Sequence, residues 1–177
     1  ALWAVVLGRF SAEISKKPVL GVFVAFALAT TLGTLVIARA ATADAILNLW
    51  LALLFTDIAR YIQKPRDSIR LRVFLWLGLG ILTKGPVAVL IPAGAFLVWV
   101  LVSNQWHVLS QSLPSWRAWV LLAALLTPWL LGVYDAQGIA FFENFIVHHN
   151  IERFSGNLHG HGGYPLYYVF VMPLVLL

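Results

Sequence analysis

Three short segments of this 177-residue chain hold residue types that can bind or move charge, and each lies beside long apolar runs. Thr42-Ala43-Asp44 puts a carboxylate where an apolar run begins. Two readings apply. Thr42 can cap the free N–H groups of a helix start while Asp44 complements the positive end of its dipole. Alternatively Asp44 is a base, a metal ligand or an acceptor contact, since ionisable groups at a membrane boundary are functional candidates by default. Thr83-Lys84-Gly85-Pro86 joins two apolar runs through a tight break. An anion there would meet the Lys84 ammonium together with the unpaired N–H groups of the helix that follows. A snorkelling Lys beside a routine turn uses the same residues.

The densest polar stretch is His148-His149-Asn150-Ile151-Glu152-Arg153-Phe154, followed by His159-Gly160-His161. Imidazoles and carboxylates can hold a divalent cation, which makes His149, Asn150 and His161 metal or acceptor candidates. Arg153 can grip a phosphate through two parallel N–H bonds. The spacing matches no closed zinc signature such as H-E-x-x-H, and a solvated loop with a basic headgroup anchor is the alternative.

The elements that position these segments follow from composition. The chain is 61% hydrophobic and 11% charged, with eight Trp and no Cys, whereas a soluble domain carries about 25% charge. A soluble globule, a disordered chain and a disulfide-stapled module are excluded. What fits is an all-α, polytopic transmembrane helical bundle. Apolar runs predict spans over residues 18–38, 45–62, 71–83, 87–102 and 118–134, with partial spans at 1–7 and 164–177. Residues 136–163 read as an amphipathic interfacial helix followed by a Gly-rich loop. No repeat or linker divides the chain, which reads as a single-domain piece of a longer protein, because both ends fall inside apolar runs.

Assigning the loops alternately to two sides separates the basic residues. Arg9, Lys16, Lys17, Arg60, Lys64, Arg66, Arg70, Arg72 and Arg117 fall on one side, against Arg39, Lys84 and Arg153 on the other. The richer side is cytoplasmic by the positive-inside rule. The net charge of +5 therefore sets membrane topology rather than nucleic-acid binding. The outer face receives Asp44, Lys84, Arg153 and four of the five His, so chemistry belongs there. The 71–83 span is the weak link, since it covers only about 20 Å of a roughly 30 Å core.

These segments, in this order, resemble the membrane glycosyltransferases that use polyprenyl-phosphate sugars: the dolichyl-phosphate-mannose protein mannosyltransferase superfamily and its bacterial aminoarabinose transferase branch. The carrying residues are Ala41-Thr42-Ala43-Asp44, Gly78-Leu79-Gly80-Ile81-Leu82-Thr83-Lys84-Gly85-Pro86, Thr127-Pro128-Trp129, and Phe141-Phe142 through His149-Asn150-Ile151-Glu152-Arg153-Phe154 to Gly163-Tyr164-Pro165-Leu166-Tyr167-Tyr168. The resemblance implies a C-type glycosyltransferase membrane domain in a bacterial inner membrane, its site facing the periplasm. The implied reaction is inverting sugar transfer from a polyprenyl-phosphate donor to a lipid or protein acceptor. It also implies that the family's first-loop acids, including its base, fall before Ala1. Such a reaction needs a base and cations for the departing phosphate, for which Lys84 and Arg153 are the phosphate candidates and Asp44 the candidate base or metal or acceptor contact. A divalent metal is an open option, and membrane lipids are the remaining partners. A transporter or flippase for an anionic or lipid-linked substrate is the rival reading, and a non-catalytic membrane scaffold is a third.

Overall fold

The computed structural model describes residues 2–39, 43–108, 115–138 and 141, and the regular elements among them are all helices. They are α1 (Leu2–Ser15), α2 (Pro18–Thr30), α3 (Leu32–Arg39), α4 (Ala43–Gln63), α5 (Asp67–Lys84), α6 (Val87–Ser103) and α7 (Trp116–Gln137). The chain divides into two compact units, Ala1–Leu125 and Leu126–Leu177.

In the first unit, α1 and α2 pack antiparallel across a two-residue link. Lys16 makes this turn in the left-handed region, at φ 56°, and Pro18 then starts α2, where its missing N–H costs nothing. The two helices touch through backbone: a Cβ on Gly8 would stand 2.6 Å from the Gly21 carbonyl oxygen, and one on Gly21 would stand 2.6 Å from the Ala12 Cβ. Only glycine permits that approach. α1 also runs on to Ser15, past the expected end of the apolar run at residue 7.

The span expected over 18–38 is broken at Thr31, whose ψ of 141° is extended. The cause is a run of hydroxyls bonding back to the helix. Thr30 Oγ1 donates to the Phe26 carbonyl at 2.9 Å, and Thr31 Oγ1 lies 2.9 Å from the Leu28 carbonyl and 2.8 Å from Thr34 Oγ1. Such side-chain bonds compete with the helical ladder and bend it.

α4 and α5 are the antiparallel pair at the centre of the unit. Trp50 and Trp76 stack with ring centroids 5.8 Å apart, and Leu54 and Thr56 are almost fully buried. α5 begins four residues before the expected 71–83 span, with Asp67 in its first turn. Its 18 residues give about 27 Å at ~1.5 Å per residue, but the added residues include Asp67, Arg70 and Lys84, so the apolar stretch itself is no longer than the expected span. α6 and α7 follow the expected 87–102 and 118–134 closely, and α7 is helical through Pro128. Gly78 makes room for α7, since a Cβ there would stand 2.5 Å from Leu125 Cδ2.

Of these helices, α4 and α7 are long and apolar enough to cross a membrane, while α2 and α6 are apolar but shorter, at 13 and 17 residues. Their large apolar side chains point outward: Val19 is 80% exposed and Val102 84%. A soluble fold buries such residues, whereas a membrane helix leaves them to lipid or to neighbouring spans. Among the described residues the fold is all-α and membrane-type, as expected. In the second unit Gly138, at φ 66°, closes α7 by donating its N–H to the Tyr134 carbonyl at 2.8 Å. There Trp129 and Phe141 meet edge-on at 6.2 Å. The remainder of the expected 136–163 segment and the 164–177 span lie outside the described residues.

Candidate functional site

α4 begins one residue before Asp44 and α5 ends at Lys84. Because the two helices are antiparallel, the first turn of one lies beside the last turn of the other, and residues 40 apart in sequence meet: Lys84 Nζ donates to Asp44 Oδ1. Each charge also suits its own helix end, the carboxylate at the positive end of α4's dipole and the ammonium at the negative end of α5's. Their side chains remain 45% and 41% exposed. Two of the expected site residues are thus a solvated ion pair at one end of the α4–α5 pair, an ammonium able to meet an anion and a carboxylate able to accept a proton or a hydrogen bond.

The turn after Lys84 is built by Gly85, whose φ of 68° and ψ of −140° suit glycine alone. Its N–H donates to the Ile81 carbonyl at 2.7 Å, closing α5. The expected anion site of unpaired N–H groups at the start of α6 is only partly there. The Ala88 N–H donates to the Gly85 carbonyl at 3.2 Å, and those of Val89 and Leu90 donate to the Pro86 carbonyl at 2.9 and 3.0 Å. This tight first turn consumes donors that an open helix start would offer, so anion binding at this break rests mainly on the Lys84 ammonium. Beneath it, Thr83 Oγ1 donates to the Leu79 carbonyl at 2.7 Å and accepts from the Trp50 indole N–H at 3.1 Å.

Thr42, His149, Asn150, Arg153 and His161 lie outside the described residues. Among the described residues no group of three or more His, Asp or Glu could hold a metal ion.

Asp57 and Arg60, three residues apart in α4, belong to a larger cluster at the other end of α4 and α5. The Asp57 side chain is 3% exposed. It accepts two hydrogen bonds from Arg72, each 2.9 Å, one from Arg60 at 3.1 Å and one from the Trp76 indole N–H at 3.0 Å. Arg60 reaches on to Glu13 of α1, its Nη2 donating to the carboxylate at 2.5 Å, and its guanidinium lies over the Phe10 ring. The hydrogen bond from Arg60 holds the Glu13 carboxyl below the usual carboxylate range, against a smaller opposing effect of partial burial. A buried carboxylate needs this degree of pairing to stay charged, so the cluster ties α1, α4 and α5 together. The legible signal was the i, i+3 spacing of Asp57 and Arg60; Arg72 gave none, because it looked like a loop cation.

The family model for dolichyl-phosphate-mannose-protein mannosyltransferase matches residues 3–131. Over 97% of its length the chain is 30% identical to an undecaprenyl phosphate-alpha-4-amino-4-deoxy-L-arabinose arabinosyl transferase of Shewanella sediminis, of which it covers 30%. A protein of the same name from Pseudomonas aeruginosa is 33% identical over 107 residues, 56% of this chain and 19% of that one. The chain therefore spans less than a third of the length of these relatives. No solved structure matches it.

Proposed function

Since the chain belongs to the dolichyl-phosphate-mannose-protein mannosyltransferase family, we propose that its protein transfers a sugar from a polyprenyl phosphate to a lipid or protein acceptor, with inversion, at the outer face of a bacterial inner membrane. The observation that carries this reading is the meeting of Asp44 and Lys84 at one end of α4 and α5. Lys84 is the cation for the donor phosphate, and Asp44 is its partner until the phosphate replaces the carboxylate. Arg153 supplies a second cation, and His149, Asn150 and His161 are the acceptor or metal contacts.

In the reaction an acceptor oxygen attacks the anomeric carbon from the side opposite the phosphate. The bond from that carbon to the phosphate oxygen breaks, its electron pair stays on the phosphate, and the acceptor proton passes to a base. Charge builds on the phosphate as the bond breaks, and a fixed ammonium lowers the barrier by meeting it there. The base is an acid outside these residues, with Asp44, released from Lys84, as the alternative within them.

Orientation is supported by the antiparallel geometry. Lys64, Arg66, Arg70 and Arg72 gather at the opposite end of α4 and α5 from Lys84, and the positive-inside rule gives that end to the cytoplasm. Transport would ask for polar groups near mid-span, whereas the ion pairs described lie toward the two ends of α4 and α5. The test is transfer from a synthetic polyprenyl-phosphate sugar by the full-length protein. Lys84→Ala should lose most of the activity and Lys64→Ala little; equal, small losses in both would overturn the reading.

A further inference from the structure

A trough of about 400 Å³ runs between α4, α5, α6 and the start of α7, in the first compact unit. Neither Asp44 nor Lys84 lines it. Its walls are aliphatic and aromatic, with Phe74, Phe96 and Trp119 among them, and its polar groups are Tyr61 and Arg70. Ala93 and Leu97 in its wall are themselves exposed, so it opens sideways onto the apolar surface of α6.

Length and polarity together define what fits. Along α6 the lining runs from Val89 to Val100, about 16 Å at ~1.5 Å per residue. That is close to half of a roughly 30 Å hydrocarbon core, the depth of one leaflet. Arg70 and Tyr61 stand near the α4–α5 turn, where Arg70 donates to the Tyr61 hydroxyl at 2.6 Å, and Lys64 and Arg66 in that turn are exposed. Asp67, the one acid among residues 63–72, pairs with Arg70 at 3.3 Å, and Arg72 is held by Asp57, so the exposed cations of the turn are Lys64 and Arg66. A slot one leaflet deep, apolar along its length and cationic at its mouth, is complementary to a single-tailed or two-tailed lipid with an anionic headgroup.

We propose that this trough binds an acyl chain of an anionic membrane phospholipid, with the headgroup held at Arg70 and the Lys64–Arg66 turn. The lipid-linked sugar donor is not its occupant, because Lys84 and this turn lie at opposite ends of α5. Asp67 to Lys84 spans about 25 Å, too far for one phosphate to serve both. The inference does not rest on the transferase reading and holds whichever end of α4 faces the cytoplasm.

Native mass spectrometry of the full-length protein tests it, with phosphatidylglycerol and phosphatidylcholine of matched chains, and undecaprenyl phosphate as a third probe. The wild type should retain one phosphatidylglycerol at least fivefold more tightly than phosphatidylcholine. Ala93→Trp, which fills the trough from its exposed lip, should abolish retention of both. Arg70→Gln should level the two; because Arg70 also braces Tyr61, the exposed double change Lys64→Gln with Arg66→Gln is the second variant, and it should narrow the preference in a folded protein. Equal retention of the two phospholipids by the wild type would overturn the proposal, as would undiminished phosphatidylglycerol binding in Ala93→Trp. Undecaprenyl phosphate displacing phosphatidylglycerol from the wild type would assign the trough to the donor lipid instead. A photoreactive residue at position 93 that cross-links only to another part of the protein would show the trough to be filled by a helix.

Discussion

The two ion-pair clusters along α4 and α5 should respond to mutation in opposite ways. Asp57 is the structural case. Its side chain is 3% exposed and takes two hydrogen bonds from Arg72, one from Arg60 and one from Trp76. Breaking a buried ion pair by removing one partner costs about 3–5 kcal/mol. Here the orphaned partners can partly rehydrate, since the Arg60 and Arg72 side chains are 31% and 47% exposed, so Asp57→Ala should fall near the lower end, about 3 kcal/mol. Lys84→Ala removes a pair whose members are both more than two-fifths exposed, and such pairs contribute about 0–1 kcal/mol.

Transfer should show the reverse order. If Lys84 meets the departing phosphate, losing it should cost about 10²- to 10³-fold in rate, as removal of a single transition-state donor does. Asp57→Ala should keep most of its activity per folded molecule. The assay pairs thermal unfolding of the purified full-length protein, followed by tryptophan fluorescence, with sugar transfer measured below the unfolding range. If Lys84→Ala unfolds as early as Asp57→Ala, its loss of transfer is a folding defect and the inference from exposure is wrong. If Lys84→Ala is stable and transfers at the wild-type rate, the ion pair is only a helix-end feature.

Three further outcomes follow from local geometry. Gly21→Leu should destabilise the α1–α2 pair by about 1–3 kcal/mol or more, because even a Cβ there stands 2.6 Å from the Gly8 carbonyl and the Ala12 Cβ; a Tm equal to wild type would contradict the close packing. With no native Cys in the chain, Cys placed at Ser155 and at Ser68 should label from opposite sides of the membrane with an impermeant thiol reagent, and labelling from one side would refute the topology. Glu13 has a folded-state pKa below its ordinary value, so the Arg60 bond stabilises at pH above the ordinary carboxylate range and is lost as pH falls through the lowered pKa. Glu13→Gln should therefore flatten the acid limb of a Tm-against-pH curve, and an unchanged limb would show that the exposed bond contributes nothing.

Helices of this chain were legible where a single signal sets them. The 45–62 run is mostly apolar and has no Pro or Gly to break it, and α4 occupies it. The meeting of Asp44 with Lys84 was also within reach of the sequence. The short turn after Gln63 forces α4 and α5 to run antiparallel, and the two residues lie 19 before Gln63 and 17 after Asp67, close to one level. The break at Thr31 was hidden because hydropathy treats Thr30 and Thr31 as neutral, while their hydroxyls seek backbone carbonyls. The role of Arg72 was hidden for another reason. A basic residue beside an apolar run reads as a topology signal, yet α5 begins at Asp67, and one and a half turns on, Arg72 faces α4 and the buried Asp57.

On the proposed reading a phosphate must find Lys84 at a fixed place, and an exposed ion pair is too weak to hold it there, so Lys84 would need a firmer mount than Asp44. The packing of α4 on α5 supplies one. Asp57 accepts from the Trp76 indole N–H at 3.0 Å, Trp76 stacks on Trp50 with planes 9° apart, and Trp50 donates to Thr83 at 3.1 Å, one residue before Lys84. Gly80 lets this layer close up, since a Cβ there would be 3.0 Å from the Ala88 Cβ at the start of α6. Each link is a partly buried hydrogen bond or an aromatic stack, worth about 0.5–1.5 kcal/mol. Together they hold the last turn of α5 against α4 whether or not Asp44 is engaged. That division of labour leaves the Asp44–Lys84 contact free to open for a competing anion without loosening the helix that carries Lys84.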